Sequence, residues 1–172
     1  MDQLIYISVL LFFPAAMAFA AATDLVSMTI SNRISLSLIA VFFVLAPLSG
    51  MGLEQMGWHV AAGALLLVAG FAMFAFGWIG GGDAKLLAVT ALWFGFSMNT
   101  VEYLLLSTLF GGALTLVMLV YRHFPAPSFL YGQGWAMRLH DDKEGVPYGL
   151  ALAAGALLVY PNTWWMNGAL GY

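Results

Sequence analysis

The chain has 172 residues, of which 63% are hydrophobic and 8% are charged, and its formal net charge at pH 7 is −3. A soluble domain carries about 25% charged residues, so this composition excludes a soluble protein and predicts an all-α polytopic membrane protein with continuous apolar runs, not an alternating β-barrel. The five Lys and Arg residues are too few to indicate a nucleic-acid partner.

Six apolar segments approach the roughly 20 residues that a spanning helix needs. In chain order they cover residues 4–22, 34–48, 58–78, 84–96, 101–121 and 146–165. The first segment ends in a run of alanines that resembles a signal-peptide cleavage site. However, its N-terminal region lacks the positive charge of a signal peptide, so we expect a membrane helix there. We expect one membrane-embedded domain over residues 1–172.

The basic residues predict the orientation of these six helices. All five fall in the first, third and fifth connections, and none falls in the second or fourth: Arg33, Lys85, Arg122, Arg138 and Lys143. Because loops rich in Lys and Arg stay in the cytoplasm, the sequence predicts that both termini lie outside. Asp24 and Asp83 then belong to the same, cytoplasmic side. The fifth connection, residues 122–145, is either an interfacial segment or a solvated connector.

Small and aromatic residues give two expectations about packing. Gly63, Gly70 and Gly77 recur at one face of the third helix, which favours close packing on another helix of the same chain over a dimer face. Trp164 and Trp165 near the end are typical of an aromatic belt at the membrane interface.

Two aspartates stand out in a chain that avoids charge elsewhere. Asp24 ends the first apolar segment and Asp83 begins the fourth, and an ionisable group at a membrane boundary is costly enough to indicate function. Three residues without side chains, which leave room for an extended peptide beside a carboxylate, come directly before Asp83: Gly80, Gly81 and Gly82. The alternative is a helix-breaking turn in which Asp83 is only a helix N-cap. The short fourth segment, about 20 Å long against a hydrocarbon core of about 30 Å, suggests that Asp83 lies in a water-filled recess.

Two such carboxylates suit acid/base chemistry on a peptide bond. One would take a proton from water, while the other, protonated, would donate a hydrogen bond to the scissile carbonyl. Asp83 starts a helix and Asp24 ends one, so the helix dipole favours Asp83 as the base and Asp24 as the partner that holds the proton. The chain has no cysteine, and three widely spaced histidines do not form a metal motif: His59, His123 and His140. We expect no metal and no organic cofactor.

Three motifs in this order resemble a known family. Gly80-x-Gly82-Asp83 resembles the Gly-x-Gly-Asp signature of intramembrane aspartyl proteases. Asp24 followed by Asn32 and Arg33, together with Pro147-Tyr148-Gly149 at the start of the last segment, resembles the type IV prepilin peptidases. In this family a proline often precedes the asparagine, whereas Ser31 stands there in this chain.

The resemblance implies a membrane aspartyl endopeptidase of the bacterial inner membrane, with an active site that faces the cytoplasm. Its substrates would be prepilin or pseudopilin precursors, which lose a short basic leader after a glycine. Asp24 and Asp83 would be the catalytic pair. The residues that would shape the site are Gly80, Gly81, Gly82, Asn32, Pro147, Tyr148 and Gly149. Because the chain lacks the Cys-x-x-Cys segment of larger members, it resembles the short subclass that serves Flp/Tad pili, and pilin N-methylation is not expected.

Two other classes of function stay open on the sequence alone. A small transporter or proton-conducting protein would also carry buried acids, and Glu54 and Glu102 lie toward the opposite face. However, no inverted repeat is visible, and Asp24 and Asp83 share one side. The third possibility is a catalytically silent pilus-assembly factor, which would not need the aspartate pair.

Overall fold

The computed structural model describes residues 3–125, 127 and 130–170, and every regular element in these ranges is helical. In chain order the helices are α1 (Gln3–Ser27), α2 (Asn32–Leu48), α3 (Leu53–Ala75), α4 (Gly81–Phe94), α5 (Met98–His123), α6 (Gly134–His140), α7 (Tyr148–Val159) and α8 (Trp164–Leu170). A short 3₁₀ turn, Tyr160–Asn162, joins α7 to α8. The all-α prediction is confirmed.

Three of these helices, α1, α3 and α5, are long and apolar enough to cross a membrane. Helix α2 is shorter but also apolar. Large apolar side chains cover the outer surfaces of the helices; Leu4, Val68 and Leu105, for example, are each at least two-thirds exposed. A surface of this kind is suited to lipid, and the prediction of a helical membrane protein is confirmed.

Helices α3 and α4 form a closely packed antiparallel pair because α3 presents two glycines to its neighbour. A Cβ added at Gly63 would lie 3.0 Å from Leu92 Cβ, and one added at Gly70 would lie 3.1 Å from the Cα of Ala84. Both glycines therefore pack within the chain, as expected. Gly77 does not: it lies beyond the end of α3, where its φ of +74° turns the chain.

An aromatic cluster forms the centre of the bundle. The ring centroids of Phe13 and Tyr160 are 4.5 Å apart, and those of Trp93 and Trp165 are 4.7 Å apart. The polar atoms of these rings bond to backbone carbonyls: Trp165 Nε1 donates to the Trp93 carbonyl at 2.7 Å, and Tyr160 Oη donates to the Val9 carbonyl at 2.7 Å. The expectation that Trp165 belongs to an interfacial belt is wrong, since only 1% of this residue is exposed.

The last predicted helix, residues 146–165, is not continuous. It divides into α7, the 3₁₀ turn and α8, and Pro161 lies in the turn. Proline has no backbone N–H, and its ring clashes with the carbonyl four residues earlier, so it disfavours a continuous α-helix at this position.

The connection between α5 and α7 contains the short helix α6, which lies against α5. Ala136 and Leu139 of α6 are buried. Arg122 holds the connection in place by donating from Nε to the Leu139 carbonyl at 2.9 Å and from Nη2 to the Gly145 carbonyl at 2.8 Å. These bonds bring the chain back to the end of the bundle where α7 begins.

Candidate active site

The carboxyl group of Asp24 lies inside the bundle, at the end of α1. The residue is in the last turn of this helix and is only 5% exposed. Its Oδ2 atom accepts a 2.8 Å hydrogen bond from the backbone N–H of Gly149, in the first turn of α7. The first N–H groups of a helix have no partner within the helix, so the bond satisfies one of these donors and holds the carboxylate in place.

No residue with a side chain fits at position 149 unless its neighbours move. A Cβ at this position would lie 2.8 Å from Asp24 Oδ2 and 2.7 Å from Ile30 Cδ1. Such distances are shorter than van der Waals contact, so even a methyl group would push on both neighbours. Glycine therefore allows α7 to approach Asp24 closely.

The turn between α1 and α2 brings Ile30 into the site. Met28, with a φ of +54°, redirects the chain directly after α1. Positive φ is uncommon for a residue with a side chain. Ile30 then lies against glycines of two other elements, since a Cβ at Gly82 would be 3.1 Å from Ile30 Cβ and one at Gly149 would meet its Cδ1 atom. One side chain thus contacts both the turn that carries Asp83 and the backbone that binds Asp24.

Asp83 is the third residue of α4, and it is half-buried. Its Oδ2 atom accepts a 3.1 Å hydrogen bond from the backbone N–H of Gly80, the residue that precedes the helix. A side chain that reaches back in this way stabilises the start of a helix. Gly80, and not Asp83, is therefore the N-cap residue, although the Asp83 side chain does stabilise the helix start and uses one of its two carboxyl oxygens for this contact.

Asp24 and Asp83 lie at the same end of the bundle, although they come from different helices. Ile30 contacts Gly149, which binds Asp24, and also Gly82, the residue before Asp83. Two carboxyl groups held together do not readily carry two negative charges, so such a pair tends to share one proton. One member can then accept a proton while the other donates one.

Helix dipoles do not distinguish the two acids in the way that the sequence suggested. Asp83 is in the first turn of α4, as expected. Asp24 is at the C-terminal end of α1, but its carboxylate bonds to the N-terminal end of α7. Both carboxylates therefore lie at the positive end of a helix, and the dipole argument for Asp83 as the base loses its premise.

Two other residues singled out in the sequence contact neighbours other than the aspartates. Asn32 begins α2, and its Oδ1 atom accepts a 2.8 Å hydrogen bond from Lys85 Nζ, which joins α2 to α4. Gly81 lies at ordinary contact distance from the Phe74 ring, since a Cβ there would be 3.4 Å from it.

Pro147 and Tyr148, two further residues predicted to shape the site, lie at the start of α7. Pro147 is buried and Tyr148 is half-buried. The Tyr148 ring lies against α5 at Gly111, where an added Cβ would be 2.9 Å from the ring carbon Cζ. The hydrogen bonds of the two aspartates come instead from Gly149 and Gly80.

Sequence reasoning missed two residues of this region. Ile30 belongs to the stretch that follows Asp24, but no pattern indicated that it would contact two glycines. The sequence indicated no partner for Lys85, which bonds to Asn32 in the structure. Among the described residues, no group of three His, Asp or Glu side chains could hold a metal ion.

The fold and the site thus define a class of protein: a helical membrane bundle with two carboxyl groups at one end. Comparison with family models identifies the group more closely: residues 11–120 match the model of the type IV leader peptidase family. The chain belongs to the type IV leader peptidase family, which is a family of peptidases. The matched residues include Asp24 and Asp83, whereas residues 147–149 lie outside them. No curated protein and no solved structure matches the chain.

Proposed function

We propose that this protein is an aspartyl endopeptidase that removes the short leader peptide from type IV prepilin-like precursors, of the Flp/Tad kind. The observation that carries the proposal is the position of Asp24 and Asp83 at one end of the bundle, where Ile30 contacts glycines beside both, within a chain of the leader peptidase family. A shared proton on two carboxyl groups is the arrangement that peptide-bond hydrolysis by aspartates requires.

The reaction needs one water molecule and the two carboxyl groups. The ionised carboxylate takes a proton from the water as its oxygen attacks the scissile carbonyl carbon, and the protonated carboxyl donates a hydrogen bond to the carbonyl oxygen. The tetrahedral intermediate then collapses with transfer of a proton to the leaving amide nitrogen, which gives a free carboxylate and a free amine. Backbone N–H groups donate to Asp24 Oδ2 and Asp83 Oδ2, so the second oxygen of each carboxyl group would take part in the reaction.

Neighbouring residues would give the site its shape. The glycines at positions 80–82 leave space for an extended peptide beside Asp83. Asn32 would position the start of α2 through Lys85, and Pro147, Tyr148 and Gly149 would hold the start of α7 against Asp24. This chemistry requires neither a metal nor an organic cofactor.

The proposed orientation follows from the basic residues. The chain would form a single peptidase domain in the bacterial inner membrane, with about six crossings and both termini outside the cytoplasm. Helices α2 and α4, together with the broken segment from α7 to α8, would supply the crossings besides α1, α3 and α5. The aspartates would then face the cytoplasm, where the leaders of precursors are located.

A cleavage assay tests the proposal directly. The protein is co-expressed with a pilin precursor whose leader ends in glycine, and the product is examined by gel shift and by mass spectrometry of its new N-terminus. We expect Asp24→Asn and Asp83→Asn each to abolish cleavage without loss of expression or membrane insertion. The matched controls are Glu54→Gln and Glu102→Gln, two exposed acids outside this site, which should leave cleavage near normal.

Other outcomes would reject the peptidase. Cleavage that survives either aspartate substitution would exclude this pair as the catalytic group. Absence of cleavage by a folded wild-type protein with several precursors would favour the silent assembly factor. Loss of ion or solute flux on substitution of Glu54 or Glu102, with no peptide product, would favour the transporter.

A further inference from the structure

An apolar groove with a charged end runs between α2, α3 and α4. Its volume is about 500 Å³, and it is lined by apolar side chains from all three helices. The polar residues that line it, Asn32, Ser35 and Lys85, come from the first turn of α2 and from the start of α4. We call this feature the α2–α4 groove.

The length of the groove matches one leaflet of a bilayer. Along α2 the lining extends from Asn32 to Phe43, which at about 1.5 Å a residue is roughly 16 Å. Half of a hydrocarbon core of about 30 Å is roughly 15 Å. Helix α3 runs in the opposite direction, so Phe71 lies toward the charged end and Val60 toward the apolar end.

The charged end has hydrogen-bonding capacity that the described contacts do not use. Lys85 Nζ donates one hydrogen bond, to the neutral Oδ1 atom of Asn32, so this contact does not neutralise the ammonium charge. An ammonium group has three donors, and it forms strong bonds to phosphate oxygens. The buried hydroxyl of Ser35 also lacks a hydrogen-bond partner within the described part of the chain.

We propose that the α2–α4 groove binds a phospholipid with an anionic headgroup. Its phosphate contacts Lys85, and one acyl chain lies along the groove between α2 and α3. An anionic headgroup is favoured over a zwitterionic one because it has no amine to offset the attraction to Lys85. The site lies beside the proposed peptidase centre, but its occupant does not depend on the peptidase reaction.

The chemistry of the groove favours a phospholipid over a helical peptide. A single acyl chain is narrower than a helix, which is about 10 Å wide. The charge at one end and the apolar length beyond it also match the two parts of a phospholipid.

A second groove provides an internal comparison. It runs between α1 and α2, has a volume of about 630 Å³, and its lining contains no basic residue. We expect lipid chains to cover this second groove without a headgroup preference, since its only polar lining residue is Ser8.

Native mass spectrometry of the full chain tests the site without any measurement of cleavage. The protein is released from micelles with phosphatidylglycerol or phosphatidylcholine added at equal concentrations, and the bound lipids are counted. We expect one retained phosphatidylglycerol per chain. Loss of a charge-assisted contact should weaken its binding about tenfold in Lys85→Gln. The matched charge control is Lys143→Gln, which removes an exposed lysine from another loop.

A second pair of variants tests the apolar part of the groove. Ala64 is exposed and lines the groove, so Ala64→Trp should fill it and displace the lipid. Ala69, also exposed, faces the opposite side of α3, and Ala69→Trp should retain the lipid because the same bulk is added elsewhere.

Three results would overturn the proposal. Equal retention of phosphatidylglycerol and phosphatidylcholine by the wild type would mean that the groove has no preference for an anionic headgroup. An unchanged preference for phosphatidylglycerol in Lys85→Gln would show that Lys85 does not bind the headgroup. Displacement of the lipid by an apolar helical peptide, with the same affinity for wild type and Lys85→Gln, would assign the groove to a protein segment.

Discussion

The backbone N–H of Gly149 donates a 2.8 Å hydrogen bond to Asp24 Oδ2, and this contact joins residues 125 positions apart in the sequence. It links the last turn of α1 to the first turn of α7, and it fixes the carboxyl group of Asp24. The position of Asp24 therefore depends on the close approach of α7, which in turn depends on the absence of a side chain at Gly149.

Substitution of Gly149 by alanine should impair cleavage while the protein still folds. The added Cβ would lie 2.8 Å from Asp24 Oδ2 and 2.7 Å from Ile30 Cδ1, so the carboxyl group or α7 has to move. A misplacement of about 1 Å at a reacting group can reduce the rate on the order of a hundredfold. We expect kcat/KM for a leader-peptide substrate to fall roughly 10- to 100-fold.

The control for this variant is Gly132→Ala. A Cβ at Gly132 meets no atom within 4 Å, and this glycine lies in the connection before α6. The Gly132→Ala variant should cleave the substrate with the same kcat/KM as the wild type. Wild-type kcat/KM in Gly149→Ala would show that the contact with Asp24 is unnecessary for the reaction.

Two adjacent glycines of α5 allow a matched test of Tyr148. Gly111 faces the Tyr148 ring, and an added Cβ would lie 2.9 Å from its Cζ atom, whereas a Cβ at Gly112 meets nothing within 4 Å. Gly111→Ala should displace the ring and lower cleavage. Gly112→Ala should leave cleavage unchanged and stabilise α5 by up to about 1 kcal/mol, because alanine loses less backbone entropy in a helix than glycine.

Cleavage assays and thermal unfolding in detergent measure both variants side by side. If Gly111→Ala cleaves as well as Gly112→Ala, the ring position of Tyr148 has no role in the reaction. A fall in the unfolding temperature of Gly111→Ala without a change in kcat/KM would assign Gly111 to packing alone.

Several features of the fold could be predicted because they depend on local sequence. Long apolar runs identify α1, α3 and α5, since a membrane helix has to satisfy its own backbone and expose an apolar surface. The basic residues predicted that Asp24 and Asp83 share one side of the membrane, and in the fold Ile30 contacts glycines beside both. The glycines before Asp83 indicated the start of α4.

Contacts between distant segments could not be predicted in this way. Ile30 lies between Gly82 and Gly149, and the hydrogen bond to Asp24 comes from Gly149; neither follows a periodic pattern. The interruption at Pro161 is different. This proline is a local signal for the end of a helix, but the apolar run continues past it, so a single helix was predicted. The pair Trp164-Trp165 suggested the membrane interface. The contact that holds Trp165 in the core, with the Trp93 carbonyl, joins residues far apart in the sequence and leaves no local signal.

Packing of α3 on α4 provides a stability test that is independent of cleavage. At Gly70 an added Cβ would lie 3.1 Å from the Cα of Ala84, so Gly70→Ala has to push the two backbones apart. Such overpacking typically costs about 1–3 kcal/mol. We expect a lower unfolding temperature in detergent. Gly57→Ala, on the same helix but with no atom within 4 Å of its Cβ, should be at least as stable as the wild type.

The opposite result for these variants is also informative. An unfolding temperature for Gly70→Ala equal to that of Gly57→Ala would mean that α3 and α4 separate without loss of stability. The close antiparallel packing of this pair would then not contribute to the stability of the bundle.

Two aromatic side chains cap the C-terminal end of α4, and one of them can be removed conservatively. The last four carbonyls of a helix have no partner within it. His59 Nδ1 lies 2.9 Å from the Leu92 carbonyl, and Trp165 Nε1 donates to the Trp93 carbonyl at 2.7 Å. Trp165→Phe keeps an aromatic ring but leaves the buried Trp93 carbonyl without this donor and opens a cavity.

We expect Trp165→Phe to lower the free energy of unfolding by about 1–3 kcal/mol, the usual cost of an unsatisfied buried polar group. Thermal unfolding followed by tryptophan fluorescence measures the change. The matched control is Trp78→Phe, since Trp78 is 70% exposed and its loss opens no internal cavity. Equal unfolding temperatures for the two variants would contradict the capping role of Trp165. A lower unfolding temperature in Trp165→Phe but not in Trp78→Phe would show that this contact stabilises the end of α4 opposite Asp83.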